Sequence, residues 1–116
     1  MYQFYWYSKC STCQKAKKQL ELKNISYETC DLIQNTPSAD QFEKWMKQGD
    51  FEMKKFFNTS GIKYRELGLK DRVPNFTIKE AAKMLASDGM LVKRPLVLKE
   101  DHVVQIGYNK EKYEDL

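Results

Sequence analysis

Tyr2-Gln3-Phe4-Tyr5-Trp6-Tyr7-Ser8-Lys9-Cys10-Ser11-Thr12-Cys13 is the stretch on which the fold turns. Its first six residues are short, aromatic and free of glycine and proline, which suits an interior strand better than a helix. Ser8-Lys9 ends the run, and after Cys10 a helical pattern continues to about Lys23, with Cys13, Ala16 and Leu20 at i, i+3 and i+7 on one face. A Cys-x-x-Cys therefore sits at a strand-to-helix turn. Residues three apart at a helix start reach disulfide distance, Cα atoms about 5–6 Å apart, without distortion. Free N–H groups and the helix dipole favour a thiolate on the first cysteine, and Lys9 adds positive charge beside it. Helix phase separates the two roles. Cys13 lies on the apolar face and is expected to be buried, as the resolving thiol. Cys10, at the mouth, is the expected nucleophile.

Working outward, Ser26–Leu32 reads as a second strand. Ser38 with Gln41 forms a capping-box pattern ahead of Phe42, Trp45 and Met46, and Gly49 closes that helix. A short helix is expected over Glu52–Phe57, ended by Asn58-Thr59-Ser60-Gly61, and another turn of helix near Tyr64–Leu67. Thr77 with Glu80 repeats the capping box, and Ile78, Ala81, Ala82 and Leu85 give the cleanest helical period in the chain. Leu96–Leu98 and Val103–Ile106 read as strands around a hairpin turn at Lys99-Glu100-Asp101, and Tyr108–Leu116 as a polar helix. The order is β-α-β, a block of helices, then β-β-α. That alternation predicts the α/β class and the outline of a thioredoxin-like fold with a helical segment inserted between its halves.

At 116 residues the chain fits one domain, expected to span 1–116, with thioredoxin-like elements at about 1–34 and 90–116 and the insertion at about 37–88. The hydrophobic fraction of 41% fills one core without a disulfide staple. Net charge is +4; the part through Asn58 carries 9 basic and 7 acidic residues, the rest 11 and 9. Each part holds +2, so no basic block marks a nucleic-acid binder, and direct nucleic-acid binding is not expected. No run approaches the ~20 apolar residues of a membrane span. The N-terminal run lacks a basic n-region and a cleavage site, so a reducing cytoplasm is the expected location, where paired cysteines serve catalysis or metal binding. Metal is not expected, because there is no second cysteine pair and His102 is the single histidine. Cys30 reads as a small apolar core residue.

Lys93-Arg94-Pro95 precedes the third strand. It reads either as a turn with an exposed arginine or as a functional element. Proline is tolerated at the first residue of such a strand, and Arg94 could offer its guanidinium to an oxyanion or to the Cys10 thiolate.

With both clusters in place, the chain resembles the ArsC/Spx family along nearly its full length. The resemblance rests on Tyr5-Trp6-Tyr7-Ser8-Lys9-Cys10, Tyr64-x-x-Leu67, Lys93-Arg94-Pro95 and Gly107-Tyr108-Asn109. It implies a thioredoxin-like fold, Cys10 as nucleophile, Arg94 as the anion-site arginine and Pro95 as a cis proline. Lys9, Ser11, Thr12, Pro95 and Asn58 are then the candidates to line the substrate or thiol. Arsenate reductases of the family use three arginines; Arg94 matches one, while Asn58 and Gly107 stand at the other two places. Those enzymes generally lack a cysteine where this chain has Cys13. The resemblance thus implies a dithiol mechanism and little arsenate turnover. Phe56–Gly61 is most similar to a reductase-like branch of the family.

Two function classes follow. One is a thiol-dependent oxidoreductase with no bound cofactor, drawing electrons from glutathione or glutaredoxin and acting on a small oxyanion or disulfide. The other is an Spx-like redox sensor whose Cys10–Cys13 disulfide alters contact with the RNA polymerase α subunit. Glu52, near the place of a glycine tied to that contact, favours the oxidoreductase, as does the shorter C-terminal tail.

Overall fold

A computed structural model describes residues 1–116, which divide into two compact units: 1–31 with 94–116, and 32–93. The first unit is built on a four-stranded mixed sheet. Strands β1 (Tyr2–Trp6), β2 (Tyr27–Asp31), β3 (Leu96–Lys99) and β4 (His102–Ile106) lie in the order β2-β1-β3-β4. Helix α1 (Ser11–Leu22) connects β1 to the parallel β2, with Phe4 opposite Thr29 and Tyr5 opposite Cys30. β3 runs antiparallel to β1, placing Val97 opposite Phe4, and β4 returns antiparallel beside β3. The two-residue turn between them has Glu100 at φ +52° and Asp101 at φ +64°. Two left-handed residues in succession give the twist that a tight hairpin needs. This is a thioredoxin-like α/β arrangement.

Phe4, Ala16, Leu20, Val97 and Tyr113 form the core of this unit, each fully buried. β1 is interior to the sheet, yet Phe4 is its one fully buried residue. Alternation explains this, since successive side chains leave a strand on opposite faces. Tyr2 and Trp6 share the Phe4 face and border the core, and Lys17 of α1 sits over the Trp6 ring at 4.8 Å. The C-terminal segment is less polar in its role than its composition predicts. Its helix, α6 (Lys110–Glu114), packs on α1 through the buried Tyr113 and is capped by Asn109, whose side chain accepts the Lys112 N–H at 3.1 Å.

The second unit is helical. α2 (Ala39–Lys47) packs on α5 (Ile78–Ser87), and both begin with the capping boxes that the sequence predicts, Ser38 with Gln41 and Thr77 with Glu80. Each box satisfies two N–H groups that the helix itself leaves unpaired. Phe42, Trp45 and Met46 of α2 and Ala81, Ala82 and Leu85 of α5 are buried. Two short helices, α3 (Ile62–Glu66) and α4 (Leu69–Arg72), lie between them in sequence.

The expected helix at Glu52–Phe57 is instead a 3-10 turn, Met53–Phe56. Glu52 provides no side-chain cap, and Phe57 is drawn into an extended bridge with Val92, flanked by Asn58 N–H to Leu91 O and Lys93 N–H to Phe56 O, both 2.8 Å. α4 and a 3-10 turn at Val73–Asn75 are not anticipated by the sequence pattern. Each is too short for periodicity to register. Gly89 is needed for space: a Cβ there would sit 2.0 Å from the Leu32 carbonyl oxygen. No helix is long and apolar enough to cross a membrane.

Candidate functional site

The chain leaves β1 at Trp6 and turns through Tyr7-Ser8-Lys9 before α1 begins. Cys10 is the N-cap of α1, with φ −93° and ψ 117°, and its N–H donates to the Tyr7 carbonyl at 3.0 Å. The Cys10 Sγ accepts the Cys13 backbone N–H at 3.4 Å, the capping role usually filled by a serine or aspartate oxygen. Gln14 ties the turn down by donating from Nε2 to the Ser8 carbonyl at 2.7 Å. No acidic residue lies in the first turn of α1, so nothing there competes with a thiolate for the helix N-terminus.

Cys10 and Cys13 are both free thiols, the first half-buried and the second buried. Their acidities diverge. Burial works to raise Cys10, but hydrogen bonds from Cys13 and from Arg94, together with the Arg94 charge, outweigh it and hold Cys10 below the usual thiol range. Cys13 is pushed up to about 12, first by burial and then by the Cys10 sulfur beside it. Lys9 is exposed, so water screens its charge at the Cys10 sulfur. Ser11 and Thr12 are also exposed, on the first turn of α1.

Arg94 reaches this site from the start of β3. It is followed by a cis bond to Pro95, as the family resemblance implies. Of the two readings of Lys93-Arg94-Pro95, an exposed arginine is not what the fold produces. Arg94 is half-buried, its guanidinium lies 5.4 Å from the centre of the Tyr7 ring, and its Nε and Nη1 are buried without a hydrogen-bond partner. Buried donors left unpaired cost about 1–3 kcal/mol each, more when charged, so these two are poised for an acceptor. An anionic oxygen is the chemistry that suits them.

Behind Arg94, the Pro95 carbonyl accepts the Gly107 N–H at 2.8 Å, and the Gly107 carbonyl accepts the Tyr113 hydroxyl at 2.8 Å. Gly107 has φ +78°, a conformation that a side chain resists. Gly107-Tyr108-Asn109 thus anchors the end of β4 and caps α6, which accounts for its value as a landmark.

Asn58 belongs to the second unit, where its backbone N–H and carbonyl are engaged with Leu91 and Gly61. Cys30 corrects a further expectation. It is half-buried rather than a core residue, because β2 is an edge strand of the sheet. It shares a hydrogen bond with Tyr5, whose hydroxyl is pushed up to about 12 by burial and by the neighbouring Cys30 and Asp101. No three His, Cys, Asp or Glu side chains converge to hold a metal. Tyr7 is the residue that sequence reasoning passes over. Its position predicts only the end of a strand, and its contact with Arg94 joins residues far apart in the chain.

A thioredoxin-like sheet with a dithiol at the first helix, facing an arginine that precedes a cis proline, defines an arsenate reductase-like protein. The chain belongs to the ArsC family, whose model matches residues 5–116. It is 41% identical over 112 residues to the uncharacterized protein YusI of Bacillus subtilis, covering 97% of this chain and 94% of that one. A crystal structure described as a possible arsenate reductase from Streptococcus mutans is 51% identical, with a TM-score of 0.89 over 93% of this chain and 91% of the other. The global transcriptional regulator Spx 2 of Bacillus anthracis is 23% identical over 107 residues, 92% of this chain and 79% of the regulator.

Proposed function

We propose that this protein is a thiol-dependent oxidoreductase in which the Cys10 thiolate attacks a disulfide or small oxyanion and Cys13 resolves the adduct. The observation that carries this reading is the capping geometry of the two thiols: Cys10 Sγ accepts the Cys13 N–H at the start of α1 and its pKa is lowered there by Cys13 and Arg94, whereas burial pushes Cys13 up. With a disulfide substrate, Cys10 Sγ forms a bond to one substrate sulfur and the other leaves as a thiolate. Cys13 then loses its proton and attacks Cys10 Sγ, the remaining group departs with the electron pair, and a Cys10–Cys13 disulfide is left. With an oxyanion, the first bond forms at the central atom as a protonated oxygen leaves, and the second step returns two electrons to that atom. Two donor thiols, from glutathione or glutaredoxin, reduce the disulfide and reset the site.

Arg94 serves both steps, stabilising the thiolate and offering Nε and Nη1 to an anionic oxygen. Pro95 fixes the approach of β3, while Lys9, Ser11 and Thr12 form the exposed rim that meets the substrate or thiol. The reducing cytoplasm is the compartment that supplies such donors. A redox-sensing role at RNA polymerase is favoured by one observation, the similarity to Spx 2.

Thiol counting by mass spectrometry tests the pair. Mild oxidation is expected to remove two hydrogens from the wild type and none from Cys10→Ser or Cys13→Ser. Loss of two hydrogens in Cys13→Ser, through Cys30, overturns the role of Cys13. Binding to RNA polymerase α subunit that follows the redox state, with no reductase turnover, would install the regulatory reading instead.

A further inference from the structure

We propose that Tyr7 is the positioning residue of this site, its ring carrying the Arg94 guanidinium while its carbonyl holds the Cys10 turn. Two contacts converge on this one residue. The Arg94 guanidinium carbon lies 5.4 Å from the ring centre, within the range at which an aromatic face attracts a cation. The Tyr7 carbonyl accepts the Cys10 N–H at 3.0 Å, which fixes the turn that leads into α1. Tyr7 is itself half-buried, so the guanidinium it carries is partly withdrawn from water, where such an attraction is stronger.

The inference rests on the reading of Cys10 as the thiolate nucleophile, and it adds what holds the charge in place. Arg94 makes no hydrogen bond through Nε or Nη1, so those donors do not orient it. Its side chain carries several rotatable bonds, and the contact with Cys10 by itself leaves the plane of the guanidinium free to turn. The aromatic face supplies an anchor that uses no donor. Guanidinium hydrogens therefore remain available to Cys10 and to an incoming anion. A carboxylate anchor at this place would hold Arg94 as well, but would cancel its charge.

The groups that face the dithiol are few. Arg94, from the start of β3, and Cys13, from α1, act on Cys10; Cys10, Arg94 and Tyr113 of α6 lie around Cys13. A change at Tyr7 is therefore read at Cys10 through Arg94.

The test is the rate of Cys10 alkylation against pH, followed by peptide mass spectrometry in the full-length protein. The variants are Tyr7→Phe, Tyr7→Leu, Arg94→Ala and the Tyr7→Leu/Arg94→Ala pair. Tyr7→Phe is expected to stay within about twofold of wild type, because it keeps the aromatic face. Tyr7→Leu is expected to slow alkylation at neutral pH by about threefold or more and to move the half-point upward. On the Arg94→Ala background the same change is expected to add nothing. Phenylalanines with one, two and three ring fluorines at position 7 keep the shape while draining the face, and are expected to raise the half-point in steps.

A wild-type profile in Tyr7→Leu and across the fluorinated series, with Arg94→Ala displaced, overturns the role of Tyr7 and leaves the proposed function standing. A Tyr7→Leu effect of full size without Arg94 also overturns it. An Arg94→Ala profile equal to wild type would instead remove the electrostatic basis of the proposed function, and the role of Tyr7 with it.

Discussion

In the proposed reaction, the high pKa of Cys13 makes the second step, resolution, the pH-sensitive one. At about 12, Cys13 is ionised at neutral pH to about one part in 10^5, against about one in 30 for a free thiol near 8.5. The deficit is about three and a half orders of magnitude. A more basic thiolate is a better nucleophile, and a Brønsted slope of about 0.4–0.5 returns about one and a half orders. Attack by Cys13 is thus about two orders slower than by an unperturbed thiol placed at the same distance. When Cys10 is tied up in a mixed disulfide its charge is gone, which relieves part of the shift. Burial, the largest cause, remains. The resolving step is therefore expected to quicken about tenfold per pH unit between about pH 6 and pH 9, because Cys13 does not titrate there. The first step is expected to level off early, because Cys10 is held low. An aromatic disulfide reports both steps in a stopped-flow spectrometer: one coloured thiol is released when Cys10 attacks and a second when Cys13 resolves. A Cys30→Ser background keeps the third cysteine silent, and Cys13→Ser is expected to release one equivalent. A second phase that is flat with pH, or saturates near the acidity of a free thiol, would refute the reasoning.

Arsenate turnover, followed by NADPH oxidation through glutathione and glutaredoxin, is expected to be negligible. Arg94 supplies one guanidinium where the family's arsenate reductases use three, and each missing donor costs about 3 kcal/mol of transition-state stabilisation. Robust wild-type turnover would contradict that. Restoring arginine at Asn58 and Gly107 tests the same point, although the left-handed φ of +78° at Gly107 adds about 1–2 kcal/mol of strain to any side chain there. Gly89→Ala is expected to destabilise the fold by about 3 kcal/mol or more, because its Cβ would meet the Leu32 carbonyl carbon at 2.8 Å as well as its oxygen. A thermal scan should show Tm lower by about 10 °C or more. An unchanged Tm would mean that the 3-10 turn at Gly89–Leu91 yields freely.

Short-range physics is legible in the one-dimensional chain, and here it reaches far. The two capping boxes, the buried phase of Cys13, Ala16 and Leu20, and the hairpin turn all depend on residues within about seven positions of each other. Those signals fix the β-α-β and β-β-α halves and place Cys10 at a helix start before any tertiary contact is known. The 3-10 turn at Met53–Phe56 is decided otherwise, by a bridge to Val92 more than thirty residues away.

The chemistry of the site divides the same way. Sequence determines that two thiols share one helix turn and that the second faces inward. Tertiary structure alone decides that Arg94, from the start of β3, joins the Cys13 N–H at the helix start in lowering the pKa of Cys10. It likewise decides that Tyr7 meets Arg94, and that Cys30 lies on a sheet edge beside Tyr5 instead of in the core. The physical reason is common to all three. Which side chains meet across a sheet follows from strand order and register, and these are settled by the burial of Phe4, Val97 and Tyr113 together, residues that no local period connects.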